Sequence, residues 1–465
     1  MRGSIHPERP TRSWRAQLLA AALLLSVVSV AGCTGGSGTT AHGAPTPAGA
    51  AVAGPASSCL SPPASCYAPD LFRVEYGTQA LLDSGIDGRG ETVTLLDAAP
   101  PGPSASACPP PCTIVNGPAT SDIRRDLAAF DSEFRLSAAR IEVVTSLADP
   151  ASPWQVNDQE AADAEIVHTV APAATLRLVL LPSNAMDSAA TATAGMIAGL
   201  RLAVSGTDVA SIGFGLGEHF FTTAQAAEMH SILAGAEAHH VTVIAGSGDN
   251  GGFSDTWWFG TAVKEVSLPA SDPLVLAAGG TTFTGNLSAG AYIRETAWNS
   301  QNGSFSESLG ASGGGFSHLY ARPAYQDGVP GISAMRGVPD VAGDADQQGG
   351  WVALLTTGGK TSISSYSGTG AAAALWAGLM ALADQYAHHD LGFVNPAIYR
   401  IARSPSYHQA FHDITTGSNI QTLAYPAGTA GYQAGPGWDP VTGWGSPDAQ
   451  VLIPLLARLA SRGTT

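Results

Sequence analysis

Residues 367–378 read Ser-Gly-Thr-Gly-Ala-Ala-Ala-Ala-Leu-Trp-Ala-Gly. A glycine-flanked turn runs straight into a helix of small residues. Several hydrolases present a nucleophile in this way, because an oxygen at a helix N-terminus meets free N–H groups and the positive end of the helix dipole. The position that should carry the hydroxyl is Gly370. The stretch therefore has the frame of a serine hydrolase without its nucleophile. Taken alone, it also reads as an ordinary turn before a closely packed helix, so the rest of the chain decides.

Working outward, short apolar runs alternate with helix-length segments. Residues 91–97, 176–181, 209–214, 241–245 and 274–277 read as buried strands, and 122–134, 159–170, 188–204 and 223–238 as helices. Near-continuous apolar strands in alternation with helices predict an α/β fold, a parallel sheet covered by helices on both faces. In such folds functional groups collect at the carboxyl ends of the strands. Asp249, in Gly246-Ser-Gly-Asp-Asn-Gly-Gly252, directly follows one of those strands. A glycine-flanked Asp is equally at home in a plain turn.

The 465 residues are 45% hydrophobic and 12% charged, with a net charge of −16. That describes a well-cored globular chain, and Lys264 and Lys360 are the only lysines. Without clustered cations a nucleic-acid partner is not expected. Arg2, Arg9, Arg12 and Arg15 precede an apolar run, 16–32, that ends Val30-Ala-Gly-Cys33. This resembles a bacterial lipoprotein signal over 1–32, with Cys33 acylated and the protein held on the extracytoplasmic face of the membrane. The other reading is an uncleaved anchor, since about 17 residues is borderline for spanning. Residues 33–57 follow as a tether rich in small residues, with a reach of roughly 25–30 Å. One large domain, 58–465, completes the chain. Cys59, Cys66, Cys108 and Cys112 form an even set in an exported protein, which suggests two disulfides. Three pairings exist, and 59–66 with 108–112 closes two short loops.

Several stretches, in order, resemble the sedolisin family of serine-carboxyl peptidases. They are Tyr67-Ala-Pro-Asp-Leu-Phe-Arg-Val-Glu-Tyr-Gly77, Gly85-Ile-Asp-Gly-Arg-Gly90, Asp126-Leu-Ala-Ala-Phe-Asp131 and Ser211-Ile-Gly-Phe-Gly-Leu-Gly-Glu218. Gly313-Gly-Gly-Phe-Ser317, Arg322-Pro-Ala-Tyr-Gln326, Val338-Pro-Asp-Val-Ala342 and Asp439-Pro-Val-Thr-Gly-Trp-Gly445 continue the series around the 367–378 turn. The resemblance spans about 60–460 and implies a subtilisin-like fold. It also implies a strand lining the substrate at Ser211, Gly213, Phe214 and Gly215, with Phe214 where Trp is usual. Family members carry a long inhibitory prosegment, and the stretch ahead of residue 60 has no counterpart to it.

The family's chemistry needs a Ser nucleophile, a Glu base, an Asp one helical turn on to orient the base, and a second Asp as oxyanion acid. A carboxylate base with a pKa near 4.3 suits an acidic medium. Carried over by position, Asp163 takes the orienting Asp and Asp249 the oxyanion Asp. Gln159 stands where the base belongs and Gly370 where the Ser belongs. Glu160 is about 100° around the helix from Gln159. Asp97 and His168 suggest a subtilisin-type Asp/His pair, which without a Ser also fails. The resemblance further implies one Ca²⁺, held by the carboxylates of Asp413 and Asp439 and the carbonyls of Ile414, Gly435 and Gly437. An all-oxygen set suits a hard cation. Three functions remain open at this level. They are a pseudopeptidase that binds peptide or protein without cutting it, an acid endopeptidase recruiting Glu160 and another hydroxyl, and a structural envelope lipoprotein.

Overall fold

The computed structural model describes residues 66–98, 121–144, 147, 154–182, 184–254, 263–286, 291–300, 310–357, 360–423 and 428–460. The signal and tether of 1–57, and Cys33, Cys59, Cys108 and Cys112, lie outside the described residues.

The central sheet has eight strands: β1 (Thr92–Asp97), β2 (Arg140–Val144), β3 (Thr175–Leu180), β4 (Val209–Ile212), β5 (Thr242–Gly246), β6 (Leu276–Asn286), β7 (Ala291–Ala297) and β8 (Val341–Asp344). Their order is β7-β6-β5-β4-β1-β3-β2, with β8 also pairing β6. All pairings are parallel except β6–β7, so the expected parallel sheet acquires one antiparallel edge. In β1, Val93 and Leu95 enter one core and Leu96 the other. That alternation is why Val93, Leu95 and Leu96 are all apolar here: both faces of the sheet are buried.

The helices that matter for the site are α1 (Ile123–Phe134), α2 (Asp158–Val170), α3 (Ala189–Ala203), α4 (Thr223–Ala238), α5 (Thr369–Ala387) and α6 (Ala449–Ala460). Three of them begin in capping boxes: Asn157 with Glu160, Ser188 with Thr191, and Thr222 with Gln225. Each box satisfies two N–H groups that the first turn leaves without partners. Helices α2, α5 and α6 share one core and α3 and α4 the other. Every residue of α5 from Thr369 to Asp384 is buried. Its alanines give up side-chain volume so that the sheet and two helices can close on it together. Among the described residues no helix is long and apolar enough to cross a membrane.

Residues 66–76 dock on segments far along the chain. Cys66 and Tyr67 pair in parallel with Gly350 and Trp351, and the Ala449 N–H donates to the Tyr76 carbonyl at 2.9 Å. Phe72 stacks on Trp351 with ring centres 3.7 Å apart.

The Val338-Pro-Asp-Val stretch owes its place to Asp340. This carboxylate is fully buried and accepts from Arg336 Nη1 and Nη2 at 2.8 and 2.6 Å, from the Tyr399 hydroxyl at 2.8 Å, and from the Ala277 N–H at 2.8 Å. Arg336→Met would strand that charge in the core. We expect it to cost about 3–5 kcal/mol, read from urea unfolding, because a buried carboxylate without its counter-ion keeps its full desolvation penalty. Arg336→Met with Asp340→Asn should recover most of the loss. A single variant within about 0.5 kcal/mol of wild type, the range of neutral surface changes, would contradict this account.

Candidate active site and metal loops

Five elements converge where the strand-end rule points. Asp97 ends β1, Gly213 follows β4, Asp249 lies in the loop after β5, Gln159 and Asp163 occupy the start of α2, and Thr369 and Gly370 open α5. The direction of residue 370 is well defined. A Cβ built there would stand 3.3 Å from Gln159 Nε2, 3.4 Å from Asp163 Oδ2 and 3.0 Å from the Gly213 carbonyl oxygen. A side chain at 370 would thus point at the two α2 residues that the i, i+4 spacing puts on one face.

Gln159 fills the space in front of that helix start. Its Nε2 donates to the Gly213 carbonyl at 2.8 Å and to Asp97 Oδ1 at 3.3 Å. An amide at this position is a donor with no basic lone pair to take up a proton. Behind it, Asp97 and Asp163 are both buried and crowd the same point. A Cβ on Gly213 would fall 1.7 Å from Asp97 Oδ1 and 2.7 Å from Asp163 Oδ2, so only glycine fits. Burial raises both carboxyls, and for Asp163 the charge of Asp97 adds to it. Two buried acids this close retain a proton between them well above the usual carboxylate range.

Asp249 Oδ1 accepts from the Thr369 N–H at 2.8 Å and its hydroxyl at 2.9 Å, and the Thr369 hydroxyl in turn accepts from the Gly248 N–H at 3.0 Å. Burial pushes the Asp249 carboxyl up, against the pull of the two Thr369 donors. A carboxyl that stays protonated is a hydrogen-bond donor, the property an oxyanion acid requires.

Several sequence-based expectations change here. Glu160 is committed to the cap of α2: its Oε2 accepts from the Asn157 N–H at 2.8 Å, and its own N–H donates to Asn157 Oδ1 at 2.9 Å. The fall-back base is therefore engaged away from residue 370. His168 does not approach Asp97. It is buried against α1, with Nε2 2.8 Å from Asp131 Oδ1 and 3.0 Å from the Ser137 carbonyl. Ser211 lies inside the sheet, 1% exposed, so its side chain has no open face to offer a substrate. That leaves the strand end, with the Gly213 carbonyl already taken by Gln159, Phe214 buried and Gly215 half-buried. Asp97 was missed as a partner of Asp163. Its signal was a lone acid closing an otherwise apolar strand.

The C-terminal loops bring their two carboxylates to one place. Both oxygens of Asp413 accept from the Gly437 N–H at 3.1 Å, and Asp439 Oδ2 accepts from the Gly435 N–H at 3.0 Å. Asp439 Oδ1 accepts from the Val441 and Thr442 N–H groups at 2.8 and 2.9 Å. Asp439 is 6% exposed, and burial pushes its carboxyl up to about 6 despite these donors. Two acids from separate segments, both hydrogen-bonded to one glycine loop, form an oxygen donor set that fits a hard cation.

A parallel sheet whose strand ends present paired acids to the start of a buried helix is a subtilisin-like architecture. Comparison with known proteins carries this further. The chain is 34% identical over 311 residues to kumamolisin of Bacillus sp. (strain MN-32), covering 64% of this chain and 51% of kumamolisin. It is 37% identical over 235 residues to sedolisin of Pseudomonas sp. (strain 101), covering 50% of this chain and 37% of that protein. Human tripeptidyl-peptidase 1 is 29% identical over 268 residues, covering 53% and 43%. The chain spans about half, or less, of the length of these curated relatives. Among solved structures, Pseudomonas sedolisin, a serine-carboxyl proteinase complexed with two molecules of pseudo-iodotyrostatin, matches with a TM-score of 0.63 and 25% identity. That match covers 86% of this chain and 99% of the other. No family model matches the chain. The chain is a homologue of the sedolisin family of serine-carboxyl peptidases and has their subtilisin-like fold.

Proposed function

We propose that this chain is a pseudopeptidase, a sedolisin-family domain that binds peptide or protein segments and does not hydrolyse them. One observation carries the reading: the residue whose side chain would face Gln159 and Asp163 is Gly370. Neither a nucleophilic oxygen at 370 nor a carboxylate at 159 is present, and removal of a subtilisin nucleophile alone costs about 10⁶-fold in kcat. The position of Gln159 supports the same reading, since its amide is tied to Gly213 and Asp97. An active enzyme relying on Glu160 is disfavoured by the capping bonds of that residue.

The reading includes a Ca²⁺ held by Asp413, Asp439 and the carbonyls of Ile414, Gly435 and Gly437. The ion would supply charge neutralisation and join the 413–414 and 435–439 segments. It also includes anchoring through a lipid on Cys33, supported by the arginines, apolar run and small residues before that cysteine. Its place is then the extracytoplasmic face of a bacterial membrane, with a peptide or protein as ligand and no nucleic acid.

The test is incubation of the purified protein with casein and peptide libraries from about pH 3 to 7, the range a carboxylate base spans. The expected result is saturable peptide binding without new termini. Cleavage by the unmutated protein that disappears in Asp249→Ala would overturn the proposal.

A further inference from the structure

Carboxylates also gather at the opposite end of the sheet. Glu91 precedes β1, Asp208 precedes β4, Asp384 lies in the last turn of α5, and Asp390 is in the loop beyond it. Fourteen residues of α5 separate Gly370 from Asp384, about 21 Å at 1.5 Å per residue. One carboxylate oxygen each from Glu91, Asp384 and Asp390 lies within 4.8 Å of the other two. Asp384 is 1% exposed. Its Oδ1 accepts from the Leu391 N–H at 2.8 Å, and its Oδ2 is buried with no hydrogen-bond partner among the described residues.

This is an unfavourable place for negative charge. The C-terminus of a helix is the negative end of its dipole, and the last turn of α5 has no basic residue. Burial pushes Glu91 up to about 7, with Asp208 and Asp390 adding to it. Asp384 is raised by burial and then by Glu91, Asp390 and Asp208. No cationic side chain is among the groups acting on either. Glu91 is half-buried and Asp390 exposed, so the cluster is open to solvent on one side.

A second group with metal-ligand spacing, Glu218, Glu265 and His318, is already supplied with donors. Glu218 accepts from the Ser317 hydroxyl and the His318 N–H, and Glu265 from the Ser254 hydroxyl and His219. Of these two groups among the described residues, the cluster at the end of α5 is the one that combines a buried, unpartnered carboxylate oxygen with uncompensated charge.

We propose that Glu91, Asp384 and Asp390 form a divalent-cation site, with Asp208 beside it, that takes Ca²⁺ and ties the loop after α5 to the start of β1. An all-carboxylate set favours a hard, oxygen-seeking ion over Zn²⁺ or Cu²⁺. The site is separate from the Asp413 and Asp439 loops and from the cleft.

The test uses Ca²⁺ alone with the full chain at pH 8, above the value of about 7 to which Glu91 is raised. Equilibrium dialysis should show one ion fewer bound to Glu91→Gln/Asp390→Asn than to wild type, and a bound ion retained by Asp413→Asn/Asp439→Asn. Both residues of the first variant reach solvent, so folding is not at stake. In chelator that variant should melt above wild type, because a repulsion has been removed. In millimolar Ca²⁺ the order should reverse. Equal stoichiometry in wild type and Glu91→Gln/Asp390→Asn, or melting curves that keep the same order in chelator and Ca²⁺, would overturn the proposal.

Discussion

Gly370→Ser combined with Gln159→Glu is expected to convert the protein into an acid peptidase with measurable turnover, while Gly370→Ser alone stays far behind it. The geometry gives the reason. A side chain at 370 points at residue 159 and Asp163, with gaps of 3.3 and 3.4 Å from its Cβ. A hydroxyl placed there still meets an amide that cannot accept its proton, so nucleophile and base have to return together. A positioned general base contributes typically ~10²–10⁴-fold, and that is the expected ratio between double and single variants. The Gly213 carbonyl, 3.0 Å from the new Cβ, must yield by a few tenths of an ångström. It is freed to do so when the Gln159 amide that now holds it at 2.8 Å is gone. Release of peptides at about pH 4 is the measurement. Equal rates for the single and double variants would show that residue 159 is not where a base acts.

The second large effect is on stability. With chelator present to silence metal binding, the folded state is expected to be most stable near pH 5 and to weaken steadily between about pH 5 and 8. The sign follows from where the protons sit. Burial pushes Glu160 up to about 8 from 4.5, and burial also raises Asp97 and Asp163. In that window the native state holds protons that the unfolded chain has released, so each rise in pH favours unfolding. Their stabilising contribution is complete below the unfolded pKa and is lost as pH passes the folded one. For Glu160 alone the change across this window is roughly 3–4 kcal/mol, at 1.36 kcal/mol per pH unit. The net charge of −16 at pH 7 adds self-repulsion in the same direction. Glu160→Gln preserves the capping box, since Gln serves at that position, and should flatten the profile. Urea unfolding that grows harder from pH 5 to 8 would refute the assignment.

Much of the fold was legible because its signals are local. The strands expected at 176–181 and 241–245 are found at Thr175–Leu180 and Thr242–Gly246, and the helix expected at 223–238 is found there. Two-sided burial writes itself into a strand as an apolar run, and a capping box marks a helix start within four residues. What escaped was set by partners distant in sequence. The antiparallel edge β7 is defined by pairing with β6, not by its own pattern. Glu160 looked like a spare base because spacing says nothing about a side chain turned back to cap its own helix. His168 and Asp97 looked like a pair because both are residue types that catalysis uses. In space, Asp131 claims the histidine, and Asp97 belongs with Asp163 and Gln159. Gly370 was legible in reverse, as a missing hydroxyl in a frame that otherwise persists.

The docking of residues 66–76 on segments far along the chain has a consequence in time. Residues 66–67 find their strand partner only at 350–351, and the Tyr76 carbonyl accepts from the Ala449 N–H. During synthesis, then, residues 66–76 wait for residues 350–351, and finally for Ala449, before they can dock fully. Pairings this remote must overcome loop-closure entropy before any contact offsets it, which makes late closure the slow event. Until then the Phe72 ring and the unpaired backbone of β-strand 66–67 stand open. A nascent chain stalled short of residue 350 would be sticky, and a chaperone would find its handle at residues 66–76.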